Sequence, residues 1–201
     1  MAGGEGGKHY LEIRKLFVWP HIRGRAGIEV GALQQPFAVP PDTTVRYVDS
    51  KSIADLRAVY PELQASPLVA PDVIDTIETL GKFGDESDDF VLASHVIEHA
   101  ENPLGAIKNM LRVLRPGGVL ALVAPMRCET FDRERGLTLW SHMLAEFEDS
   151  AKPAANRVGH YAEWLRSAGN KEDEAALRAA ATAAMTSGKF SIHYHVVRAT
   201  C

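Results

Sequence analysis

Hydrophobic positions along the chain switch between two periods. From Lys8 to Val18 the apolar residues Tyr10, Leu11, Ile13, Leu16 and Phe17 recur at helical spacing. Pro20 predicts the end of that helix, because proline lacks the N–H donor and crowds the preceding turn. Two short β-prone runs follow, one over residues 26–30 ending at Gly31 and one over 44–48 ending at Asp49. Between them, Pro36, Pro40 and Pro41 exclude a long helix. Ser52 predicts an N-cap for a helix carrying Ile53, Leu56, Ala58 and Val59, with Pro61 just past its end. Residues 72–77 are short and ambiguous, whereas residues 89–93 read as a buried strand.

The period then changes. Leu104, Ile107, Leu111 and Leu114 fall three and four apart, which predicts one apolar helical face running to Arg115, stopped by Pro116-Gly117-Gly118. VLALVAP resumes as a strand whose unbroken hydrophobicity suits a central parallel strand covered on both faces. The alternation predicts an α/β fold, a Rossmann-like doubly wound and mostly parallel sheet. After Pro125 the pattern is mostly helical, over 137–148, 157–167 and 171–185, which predicts a helical C-terminal extension. The expected organisation is a flexible N-terminus over residues 1–8, an α/β core over 9–125 and a helical cover of the same domain over 126–201. Ligands of such sheets bind beyond the carboxyl ends of the strands, so Gly31, Asp49, Asp75, Thr76, Ser94 and Pro125 should line one crevice.

Composition narrows the class. The 201 residues are 46% apolar, with 22 basic against 26 acidic residues and a net charge of −4. That describes one soluble globular domain able to hold a core without staples. Cys128 and Cys201 fit no CxxC pattern and suggest a reducing, cytoplasmic setting. No apolar run reaches the ~18 residues of a membrane span, and the glycine-rich start is unlike a signal sequence. Scattered Lys and Arg give no nucleic-acid or membrane signal.

Candidate chemistry begins at Gly31, which follows a strand, and Asp49, 18 positions later at the end of the next strand. Nucleoside sites space these features by about 20 residues: glycine admits a ligand close to the backbone, and a carboxylate accepts hydrogen bonds from both ribose hydroxyls. The structural alternative is that Gly31 turns the chain and Asp49 caps the next helix. GxGxxG is absent and no helix starts directly after the first strand, which disfavours pyrophosphate ligands.

The blocks IEVGA, YVD, DTIETL and DDFVLASHVIEHAENPLGAIKNMLRVLRPGGVLALVAP resemble, in order, the class I S-adenosylmethionine-dependent methyltransferases. The similarity spans about residues 26–125 and is closest to the small-molecule "type 11" domains. ETFDRERGLTLWSHMLAEF and SIHYHV are similar to segments of a methyltransferase subgroup. The resemblance implies S-adenosyl-L-methionine as cofactor and methyl transfer to a small-molecule acceptor. By position it places Glu29 and Gly31 beneath the methionine portion, Asp49 on the ribose, Asp75, Thr76 and Ile77 at the adenine, and Ser94 and His95 beside the methionine moiety. The family carries an acidic residue followed by GxGxG, and this chain departs with Glu29-Val30-Gly31-Ala32-Leu33. His95, His99 and His142 are candidate bases, since imidazole titrates near neutrality.

Other readings compete. His95-Val96-Ile97-Glu98-His99 satisfies HxxEH, the zinc pattern of a metalloprotease, although a strand precedes it and Asn102-Pro103 follows closely. His193 and His195 alternate on an expected strand as a partly exposed pair, and no metal site is expected. Asp132, Arg133 and Arg135 either clamp an anionic acceptor or form a salt-linked loop. Trp140 and Trp164 are expected to pack helices. The chain stops soon after SIHYHV, where the family continues to a final hairpin. The alternative function is therefore an inactive or truncated binding module, whose open sheet edge would favour association, including with a second copy.

Overall fold

Five β-prone runs pair into one sheet in the computed structural model, which describes residues 15–188 and 191–196. The expected flexible N-terminus, residues 1–8, and Cys201 lie outside these. The strands are β1 (Ala26–Val30), β2 (Thr44–Asp49), β3 (Val73–Ile74), β4 (Asp88–Ser94) and β5 (Leu114–Val123). Every pairing is parallel, in the order β3-β2-β1-β4-β5. The α/β doubly wound class is therefore observed directly, and the chain reverses its direction of growth between β1 and β4, where such sheets open a crevice.

Alternation along β4 builds two cores. Val91 and Ala93 join Ile28, Val30 and Val48 on one face, beneath Ala106, Met110 and Val113 of helix α3 (Pro103–Val113). Phe90 and Leu92 face the other side and meet Ile22 and Phe37. Ile22 closes helix α1 (residues 15–22), which runs through Pro20 instead of ending there. Tertiary anchoring outweighs the missing donor: Ile22 is fully buried, and the Trp19 indole N–H donates to the Ala38 carbonyl at 2.6 Å.

Helix α2 (Ile53–Val59) begins where expected, with the Ser52 hydroxyl accepting from the Asp55 N–H. Helix α3 stops at Val113, two residues short of the expected end. Residues 115–118 then leave the ladder, since the β4–β5 register jumps from Asp88↔Leu114 to Phe90↔Val119. Pro116-Gly117-Gly118 forms this excursion, with Gly117 at φ 78°.

Helices α4 (Trp140–Glu148), α5 (Lys152–Ser167) and α6 (Glu174–Ser187) form the expected extension. It has its own core, in which Tyr161 and Ala162 of α5 meet Leu177 and Ala181 of α6 and Ile192. Trp164 packs there, but Trp140 is exposed, correcting its expected packing role. Residues 191–196 are irregular, not a strand. Cys128 is disulfide-bonded, which runs against the reducing setting that the cysteine spacing suggests. No helix among the described residues is long and apolar enough to cross a membrane.

Candidate functional site

Gly31, Asp49, Asp75, Thr76, Ile77 and His95 line one cavity of about 1010 Å³ beyond the carboxyl ends of the strands. Arg157 and Tyr161 of α5 and Tyr194 line it from the helical extension. Glu29, Ser94 and Pro125 are not among the lining residues. The Glu29 side chain turns into the protein, where both carboxylate oxygens accept from the Phe37 N–H at 2.9 and 3.1 Å. It holds the proline-rich loop after β1 from beneath.

The first turn of the crevice needs glycine. Gly31 has φ 68°, and a Cβ there would stand 2.7 Å from a methyl of Val96. Its N–H donates to the Val48 carbonyl at 2.9 Å, so the turn follows directly from the β1–β2 pairing. Leu33, the position where the family carries its second glycine, also has a left-handed backbone at φ 46°. A leucine there stores strain of about 1–2 kcal/mol.

Asp49 ends β2 at the crevice wall. Burial pushes its carboxyl up, against hydrogen bonds from the backbone of Ser50 and Lys51. Asp75 is occupied differently. Its carboxylate accepts from the Thr76 N–H at 2.8 Å, the Lys82 N–H at 2.7 Å and the Thr79 hydroxyl at 3.1 Å. Burial works against ionisation, but these donors hold Asp75 below the usual carboxylate range. It shapes the 76–82 loop and leaves Thr76 and Ile77 along the wall.

The HxxEH pattern does not sit on a long helix. His95 has φ 55°, and only residues 97–99 form a single 3₁₀ turn, so the two histidines are not one helical turn apart. This removes the geometry that the metalloprotease reading needs. His99 lines the crevice, with its Nδ1 2.9 Å from the Ile192 carbonyl oxygen and 3.1 Å from the Ser191 hydroxyl. A carbonyl only accepts, so Nδ1 carries the proton and Nε2 keeps its lone pair. Burial drives the His99 pKa down, with Glu98 opposing. The third candidate base, His142, lies on α4 outside the crevice lining, against Glu146 and His160.

Several crevice residues were missed by sequence reasoning. Glu101 accepts from Arg157 at 2.9 Å and from the Tyr194 hydroxyl at 3.3 Å, joining the sheet side of the crevice to its helical wall. Glu78 accepts from the Glu101 N–H at 2.6 Å, and burial pushes its carboxyl up. Arg157 and Tyr161, four apart on α5, were the available signal for a crevice-facing helix.

The expected acceptor clamp is internal. Asp132 and Arg135 are buried and paired at 2.8 Å, and Arg135 also donates to the His193 carbonyl at 2.8 Å and to Glu163 at 3.1 Å. Arg133 is exposed outside this network. His193 and His195 are buried, not partly exposed, and they point to different partners, Asp132 and Glu146.

Residues 39–122 match the family described as a methyltransferase domain. An "uncharacterized methyltransferase" of Mycobacterium avium is 33% identical over 143 residues, covering 68% of this chain and 53% of that protein. One of the same description from Mycolicibacterium paratuberculosis is also 33% identical, covering 68% of this chain and 52% of its own length. The chain thus spans about half the length of the curated relatives it matches. A SAM-dependent methyltransferase structure from Aquifex aeolicus overlaps 70% of this chain and 74% of its own, at 14% identity and a TM-score of 0.41. Over residues 39–122 this chain is thus similar to a methyltransferase domain, and the match lies on a parallel sheet with its crevice at the strand ends.

Proposed function

We propose that the crevice binds S-adenosyl-L-methionine and that the protein transfers its methyl group to a small-molecule acceptor. The observation that carries this reading is the placement of Asp49 beside Gly31 in one cavity that also reaches His99. When bound, the cofactor supplies a methyl carbon already made electrophilic by its sulfonium. The chain's part is then to bind, orient and accept a proton. Asp49 receives the ribose hydroxyls, Gly31 lets the backbone approach, and Thr76 and Ile77 flank the base. Asp49, Glu78 and Glu101 give the crevice an acidic lining that suits a cationic ligand. Aligning two reactants in such a cavity contributes about 7–11 kcal/mol. For an oxygen or nitrogen acceptor, Nε2 of His99 takes the proton.

Calorimetric titration with S-adenosylhomocysteine tests the reading. Saturable binding, weakened at least tenfold by Asp49→Ala, is expected; no binding by a folded sample would overturn it. Leu33, standing in the left-handed position where the family has glycine, favours a second reading, a module that binds without turnover. Binding of S-adenosylhomocysteine together with no consumption of S-adenosylmethionine across a panel of small acceptors would support that one instead.

A further inference from the structure

Outside the crevice, four side chains from three segments converge on one buried point. His142 and Glu146 stand four apart on α4 and so share a face, His160 comes from α5, and His195 from the irregular segment 191–196. Each imidazole turns its Nε2 to the Glu146 carboxylate: His142 at 3.1 Å and His160 at 3.2 Å from Oε1, His195 at 3.3 Å from Oε2. All four candidate ligand atoms lie within 4.8 Å of one another. We propose that His142, Glu146, His160 and His195 form a binding site for a divalent first-row transition metal ion, zinc being the best match.

The spacing fits coordination. Four ligands at about 2.0–2.1 Å from a tetrahedral ion stand about 3.3 Å from each other, near the three separations observed. The donor set fits as well, since three imidazoles and one carboxylate, without thiolate, suit a borderline divalent ion. Burial supplies an independent reason. The Glu146 and His195 side chains are fully buried, yet Oε2 of Glu146 and Nε2 of His142 have no hydrogen-bond partner among the described residues. Their neighbours across the cluster, at 3.1 and 3.3 Å, are not aligned for hydrogen bonds, and a bound cation satisfies both atoms.

Supporting contacts are present around the ligands. The Asn156 side chain donates to Oε1 of Glu146 at 2.8 Å, and the Asn102 side chain donates to the Glu146 carbonyl at 3.2 Å. Nε2 of His195 also lies 3.2 Å from the Glu101 carbonyl, so loading the ion exchanges that hydrogen bond for a metal bond. The His142 side chain, 37% exposed, leaves an entry path. A bound ion would cross-link α4, α5 and segment 191–196, fastening the helical wall beside Glu101. A second group, Glu98, His99 and His193, offers only three ligands, and Nδ1 of both its histidines is already engaged by Ile192 and Asp132.

The proposal is independent of cofactor binding and is tested without an activity assay. The full chain, stripped with a chelator, is titrated with Co²⁺ followed by visible absorption, then with Zn²⁺ followed by competition and thermal unfolding. The expected result is one ion per chain, four-coordinate cobalt bands, a higher unfolding midpoint with zinc, and at least tenfold weaker binding in Glu146→Gln and His142→Ala. His142→Ala, at the solvent edge, serves if Glu146→Gln does not fold. Absence of cobalt bands in folded protein overturns the site, as does cobalt binding by His142→Ala at the parental affinity. Bands lost in His193→Gln but kept in His142→Ala would also overturn it, placing the ion at the crevice group.

Discussion

Nδ1 of His193 lies 2.5 Å from Oδ2 of Asp132, across 61 residues of sequence. The other Asp132 oxygen is taken by Arg135, whose guanidinium also holds the His193 carbonyl. The network ties segment 191–196 to the loop after β5, and so places Tyr194 at the crevice and His195 against Glu146.

This network predicts acid sensitivity. Burial opposes ionisation of Asp132, but the His193 and Arg135 partners win and hold its carboxyl below the ordinary 3.8. The folded pKa being depressed, the stabilisation is present above the unfolded value and is lost as pH falls through the folded one. Asp132→Asn is expected to cost about 3–5 kcal/mol at pH 7, with a smaller difference from the parent below pH ~3.8. Urea unfolding at both pH values measures it, and a constant difference would exclude the mechanism.

Gly31 predicts a steric effect at the crevice. Alanine there meets both a positive φ and a Val96 methyl at 2.7 Å. Gly31→Ala is expected to destabilise the fold by about 2–3 kcal/mol and to narrow the crevice. Chemical denaturation and S-adenosylhomocysteine titration read the two consequences separately. An unchanged midpoint would mean that Val96 yields at no cost.

Leu33 predicts the opposite sign. Glycine at φ 46° relieves about 1–2 kcal/mol of backbone strain, less about 0.5–1 kcal/mol of glycine entropy. Leu33→Gly should therefore be neutral to slightly stabilising, in contrast to most changes of a large apolar residue to glycine. Thermal unfolding decides it: a loss of several degrees would show that the leucine packs more than it strains.

Asp49 should show a trade between stability and binding. Its folded pKa is raised by burial, so ionising it destabilises the fold as pH rises above the unfolded value. Asp49→Asn is expected to raise the unfolding midpoint at pH 7 while weakening S-adenosylhomocysteine about 10–100-fold, the worth of a hydrogen bond to a charged acceptor. A variant that gains stability and keeps full affinity would remove Asp49 from the ribose.

Local pattern carried much of the sheet and little of its wall. The runs at β1, β2 and β4, the Ser52 cap and the apolar face of α3 were legible because strand alternation, capping and helical period are properties of neighbouring residues. Gly31 and Asp49 were legible for the same reason, each standing at the end of a strand that parallel pairing brings to one edge. Pro20 misled, since the burial of Ile22 and the bond from Trp19 to Ala38 come from distant chain. His193 and His195 read as one pair because they alternate, yet the segment is held by Arg135 and Glu101 instead of by a neighbouring strand.

The sequence by itself determined a parallel α/β sheet and that Gly31 and Asp49 stand at strand ends, because both follow from short-range period and from residues next to turns. Only the tertiary structure decided that Glu29 braces a loop, that Glu101, Arg157 and Tyr194 enclose the crevice, and that three histidines surround Glu146. Those relations join segments up to 94 residues apart through buried charge and hydrogen bonding, and no local spacing records which buried polar groups must find one another.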